Sequence, residues 1–150
     1  MKFSFIVPII FSILLGWLFG NFIYKEYNSF DKNYSKAKTV YFLQQGVYTN
    51  QDNYKQNIAK LDSYTTVQDN QKYYVYIGIT NSYKDALNIQ KIYSKHGYNL
   101  YIKEDKINNE YFLNDLKQYS VLLKNSNDYE KLNNVLKAIL ASYEENVLES

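Results

Sequence analysis

The chain has no cysteine, one proline, one histidine, one methionine and five glycines in 150 residues. Without cysteine there is no disulfide framework, no thiolate metal site and no cysteine nucleophile. A single histidine rules out a multi-histidine metal centre. Arginine is also missing, so all 17 basic residues are lysine. Planar bidentate recognition of phosphate or guanine favours arginine, and a dedicated nucleic-acid reader normally carries a strongly basic domain. Here the formal net charge is +2. There is no G-x-x-x-x-G-K phosphate loop and no cofactor box. Carboxylates such as Asp52, Asp69 and Asp85 fall at turns and helix starts, where capping accounts for them. Glu144 and Glu145 are adjacent on a helix and diverge, whereas a glycosidase needs two carboxylates converging across a cleft. His96, beside Gly97, reads as a solvated or capping histidine. The sequence therefore predicts no enzyme, cofactor or metal.

What the chain has in excess is tyrosine, 18 residues in all, with many asparagines and lysines. Compositional drift in an AT-rich genome and selection for an aromatic binding surface both produce this pattern.

Residues 3–23 (FSFIVPIIFSILLGWLFGNFI) carry no charge. At ~1.5 Å per residue they reach ~30 Å, the hydrocarbon thickness of a bilayer. The run is too long for a signal-peptide core and lacks a small-x-small cleavage site. Residues 1–24 are therefore expected to be an uncleaved anchor in the cytoplasmic membrane. Lys2 weakly favours an inside amino terminus and an extracytoplasmic domain. Gly16 and Gly20 have the spacing of a helix-pairing motif. Residues 25–39 are polar and read as a juxtamembrane linker.

The middle of the chain repeats a unit. Val40–Gly46 (VYFLQQG) parallels Lys72–Gly78 (KYYVYIG), with the two glycines 32 residues apart. Each β-prone run leads through a polar turn into a helical pattern and then a second β-prone run. The expected strands are 40–45, 65–68, 73–77 and 99–103. A first helix over 52–61 places Tyr54, Ile58 and Leu61 on one face. A second is capped by Ser82 with Asp85, faces inward through Ala86, Ile89 and Tyr93, and ends at Gly97. This βαββαβ order predicts an α+β, ferredoxin- or RNP-like domain over 40–104. Its four-stranded antiparallel sheet has both helices on one face and the other face open. Period-2 alternation sends Leu43, Val75 and Ile77 under the helices. It sends Phe42, Gln44, Tyr74, Tyr76, Tyr101 and Lys103 to the open face.

Leu43-Gln44-Gln45-Gly46-Val47-Tyr48-Thr49-Asn50 with Asn53 resembles the V-Q-x-G-x-F/Y-x-N-x-x-N opening of SPOR (sporulation-related repeat) domains. Tyr74–Gly78 resembles the strand of the family's second repeat. The resemblance implies a bitopic protein whose βαββαβ domain binds peptidoglycan, especially glycan strands stripped of peptides at the septum in division or sporulation. It places the family's strand-one glutamine at Gln44 and its second-repeat aromatic and basic positions at Lys72 and Tyr74. Val47 stands where the family often has serine. The candidate glycan-binding residues are thus Phe42, Gln44, Lys72, Tyr74, Tyr76, Tyr101 and Lys103, with divisome or sporulation proteins as further expected partners. The chemistry is consistent: aromatic rings cover the C–H faces of sugars, and Tyr, Gln and Lys meet the hydroxyls. Residues 40–104 hold seven lysines and five acidic residues. That near-neutral balance suits a glycan better than RNA, which calls for stacking within a basic field.

Residues 105–150 are expected to be a helical extension. One helix is patterned by Phe112, Leu113, Leu116, Tyr119 and Leu123. A second, capped at Asn127, carries Leu132, Val135, Leu136, Ile139, Leu140 and Tyr143. This amphipathic hairpin can pack on the domain, self-associate or dock a partner. The docking option makes a membrane-tethered protein-interaction scaffold the alternative function. Closure of the hairpin over the open sheet face is the arrangement that would obstruct glycan binding.

Overall fold

Lys38–Tyr48 (KTVYFLQQGVY) forms β1, in which Val40 and Leu43 are fully buried. The computed structural model describes residues 37–149, together with Gly20. Apart from Gly20, the expected anchor and most of the linker lie outside the described residues, although Lys38 and Thr39 belong to β1 rather than to a linker. Among the described residues, no helix is long and apolar enough to cross a membrane.

β1 leads into α1 (Gln51–Ile58), followed by β2 (Thr65–Asp69) and β3 (Lys72–Thr80). Next come α2 (Tyr83–Lys95), β4 (Tyr101–Ile107), α3 (Glu110–Lys124) and α4 (Tyr129–Tyr143). A short π-helical turn over Glu144–Leu148 follows. The protein is α+β, with one four-stranded antiparallel sheet in the order β2-β3-β1-β4.

Local chemistry sets most boundaries. The Asn50 side chain accepts from the Asp52 and Asn53 amides at the start of α1, and Ser82 Oγ accepts from the Asp85 amide at the start of α2. Such caps satisfy amides that have no partner within the helix. Asn109 caps α3 and Asp128, not Asn127, caps α4. Gly97 follows α2 with φ +85°, the left-handed position that terminates helices cheaply only with glycine. Asn70 and Gln71 both have positive φ between the paired residues Asp69 and Lys72, the backbone of a tight type I′ hairpin.

β1, β2 and β3 outrun their expected limits. β4 starts at Tyr101 rather than 99 and runs to Ile107, into the stretch expected to be helical, whereas α1 stops at Ile58, short of 61. β1 and β3 are not in simple register. Leu43 faces Gly78, but Gln44 faces Tyr76 and Gly46 faces Val75, so each strand carries an extra residue. Such bulges bend and twist the pair locally.

α1 and α2 lie over one face of the sheet. Tyr54 of α1 stacks on Tyr73 at 4.5 Å, and Tyr83 of α2 meets Tyr41 at 5.4 Å. Alternation alone predicts that the opposite face is open, and part of it is not. α4 meets Tyr93 of α2 through Tyr129, sets Leu136 against Gly78 at its middle, and places Tyr143 against Phe42 at its end. It thus passes the stretch of β3 beyond Tyr76, which β2 does not pair. Gly78 makes this approach feasible, since a Cβ there would stand 2.8 Å from Leu136 Cδ2.

The hairpin is therefore no separate extension. Phe112, Leu116, Leu132, Leu136 and Ile139 are fully buried in one continuous core with Val40, Ile77 and Ile79. At roughly 2 kcal/mol for each buried side chain, those five alone contribute about 10 kcal/mol. That rivals the net stability of a whole domain. Lys38 onward forms one compact unit.

Candidate functional site

The register gathers the residues singled out from the sequence onto one face. Gln44 of β1 lies opposite both Tyr76 of β3 and Tyr101 of β4. Phe42 lies opposite Lys103, and Val47 opposite Tyr74. Lys72, two residues before Tyr74 on β3, shares that face by alternation and is exposed.

Within this face the hairpin divides the set. Phe42 and Tyr76 are only 4% and 3% exposed. Their rings pack together at 4.9 Å, and Tyr143 closes edge-on over Phe42 at 5.5 Å. Neither ring offers a surface to a ligand, which corrects the expectation for both positions. The cause is that the apolar stripe of α4 needs cover, and these two rings supply it.

The other members stay accessible. Tyr101 is 65% exposed, Gln44 and Tyr74 are half-buried, and Lys72 is open to solvent. All four sit toward the end of the sheet where β1 finishes and β4 begins. Val47, exposed, and Val67, half-buried, flank Tyr74 on its two neighbouring strands.

Lys103 joins the covered and uncovered halves. Its Nζ lies 5.9 Å from the centroids of both the Tyr74 and Tyr76 rings. It donates to the Tyr76 hydroxyl at 3.4 Å and pairs with Asp105 at 3.3 Å. Burial pushes the ammonium's pKa down, but the Tyr76 oxygen and the Asp105 carboxylate more than offset it, and the net direction is upward. Lys103 therefore stays cationic across the physiological range. Burial raises the Tyr76 phenol despite the lysine, and it raises Tyr143 as well, so both remain neutral hydrogen-bonding groups.

Two residues of this cluster are not among the sequence candidates. Asp105 was within reach, since two residues along a strand from Lys103 is the same face. Tyr143 is visible as part of an apolar helical stripe, but nothing local says which surface that stripe meets.

The arrangement offers an aromatic ring, an amide and ammonium groups on a shallow, half-open sheet. It can stack on an apolar patch and hydrogen-bond to the hydroxyls around it. The remaining polar groups have other roles. His96 stacks on Tyr129 at 4.1 Å, with Nδ1 3.0 Å from the Ile92 carbonyl. Ser142 donates to Asp115 at 2.7 Å, joining α4 to α3. Among the described residues no group of three His, Cys, Asp or Glu side chains could hold a metal ion.

Compared with known proteins, the chain matches no family model, no curated protein and no solved structure.

Proposed function

We propose that this protein is a non-enzymatic, membrane-anchored glycan-binding protein. Its ligand is a peptidoglycan strand stripped of peptides, and its place is the septum during division or sporulation. Residues 1–24 hold it in the cytoplasmic membrane, with the folded domain outside. The ferredoxin-like, SPOR-like reading of residues 40–104 draws support from the strand order β2-β3-β1-β4 and from the repeated motif around Gly46 and Gly78.

The observation that carries the ligand assignment is the wet half of the ring face. Tyr101 presents most of its ring to solvent beside Gln44, with Lys103 two residues along the same strand and Tyr74 across the sheet. Stacking comes from Tyr101 and Tyr74, hydrogen bonds from Gln44 and Lys103, and Lys72 extends the polar rim. Phe42 and Tyr76 act from beneath, as the floor that fixes Lys103. The scaffold alternative keeps Tyr111, Val121 and Leu122 exposed on α3, but the hairpin's main apolar stripes are spent on the core.

The test is co-sedimentation of the full chain, held in mild detergent, with amidase-treated and untreated sacculi. Preferential recovery with the amidase-treated wall is expected. Tyr101→Ala and Tyr74→Ala should each weaken it about fivefold, the equivalent of ~1 kcal/mol, with unfolding midpoints little changed for Tyr101→Ala. Equal recovery from both walls, or binding indifferent to Tyr101 and Tyr74, overturns the assignment.

A further inference from the structure

The two ends of the sheet differ in what they expose. β1 runs from Lys38, where the described domain begins, to Tyr48. The wet half of the ring face lies at its far end, and at ~3.3 Å per residue Val47 stands ~30 Å from Lys38 along the strand.

The near end carries apolar groups that are largely exposed. It is formed by the start of β1 and the ends of β3 and β4, because Lys38 faces Ile107 and Tyr41 faces Thr80. α2 and α3 both begin there, shortly after Thr80 and Ile107. Tyr83 and Tyr111 in their first turns are 53% and 77% exposed, and Leu87 in the second turn of α2 is 44% exposed. Rings and a leucine left wet at the point where the polypeptide enters call for a neighbour that is always there. The apolar run over residues 3–23 ends a short way before Lys38. Even fully extended, the intervening residues reach at most ~50 Å.

We propose that the Lys38 end of the domain seats on the lipid interface through Tyr83, Leu87 and Tyr111, and so holds the Tyr101 end outward toward its ligand. The inference rests on residues 3–23 being a membrane anchor. Tyrosine favours the headgroup level, where its ring is buried and its hydroxyl stays hydrated. A short tether keeps the surface at high effective concentration, so a weak contact is well occupied. Charge does not drive the contact. Lys38, Lys84, Lys103 and Lys106 at this end are balanced by Asp85, Glu104, Asp105 and Glu110, so seating is indifferent to anionic lipid.

The chain has no cysteine, which makes site-specific labelling clean. Tyr83→Cys, Leu87→Cys, Tyr111→Cys and Tyr101→Cys all fall at exposed positions. Each full-length variant is labelled with a fluorophore and reconstituted in vesicles of phosphatidylcholine, or of phosphatidylcholine with phosphatidylglycerol. A fraction of the lipid carries a headgroup-level spin label. The expected result is loss of fluorescence at 83, 87 and 111 in both vesicle types, and none at 101. No quenching at 83, 87 and 111 in chains that float with the vesicles overturns the seating and leaves the anchor standing. Quenching at 101 equal to the others overturns the orientation. Failure of the chain to float removes the anchor, and the inference with it.

Discussion

Gly78→Ala asks whether α4 is part of the sheet domain or a passenger on it. The added Cβ would stand 2.8 Å from one Leu136 methyl and 3.2 Å from the other. Leu136 is fully buried, so its side chain has no free space to swing into, and the helix or strand must shift. Overpacking of this kind costs about 1–3 kcal/mol. Removing glycine's extra freedom in the unfolded chain returns about 0.4–1 kcal/mol; with Leu136 fully buried the overpacking falls in the upper half of its range, about 2–3 kcal/mol, which leaves a net loss of about 1–2 kcal/mol. Leu136→Ala removes three buried carbons worth about 2.4 kcal/mol of transfer, and the cavity left behind brings the loss to about 3–4 kcal/mol. In the double variant the new methyl enters that cavity. The double should therefore be no less stable than Leu136→Ala alone, a coupling of about 1–2 kcal/mol. Urea unfolding of residues 38–150, followed by far-UV circular dichroism, measures all four proteins. A neutral Gly78→Ala, or losses that simply add, would refute close packing of α4 on β3.

The remaining predictions concern backbone and titration. Gly97 has φ +85°, and a Cβ added there would meet nothing within 4 Å, so Gly97→Ala should lose about 1 kcal/mol from backbone strain alone. Gln71 sits at φ 63° in a turn that favours glycine there, so Gln71→Gly should raise the urea midpoint or leave it unchanged, the opposite sign to Gly97→Ala. Burial raises the phenol pKa of Tyr76, Tyr93 and Tyr143 and, helped by Tyr98, that of Tyr129 to about 12. The unfolded chain sheds these protons near pH 10, before the native state does. Their stabilisation is thus complete below that pH and is lost as pH rises toward 12, most for the buried Tyr93 and least for the more exposed Tyr129. Unfolding followed across that range should show the decline, and Tyr129→Phe should make it shallower; a flat profile would contradict the burial of these rings.

Much of the local structure was legible in advance. The Ser82 cap, the helix stop at Gly97, the Asp69–Gln71 turn and the inward face of α2 depend on interactions a few residues apart. Alternation along each strand also assigned Phe42, Gln44, Tyr74, Tyr76, Tyr101 and Lys103 to one side, and that grouping holds despite the bulges between β1 and β3. The cap of α4 slipped by one residue because Asn127 and Asp128 are both good N-caps.

Which part of that side meets water was not legible. A period of two tells which side chains share a face, and a helical period tells which stripe needs cover, but neither names the partner. Phe42 and Tyr101 look alike as aromatic residues on strands. Only the passage of α4 beside Gly78, which brings Tyr143 over Phe42, buries one and leaves the other wet. Composition and short-range pattern determined most of the elements, their faces and the absence of thiol chemistry. The tertiary structure decided the site, because burial depends on contacts between segments distant in sequence, here residues near 42 and 143.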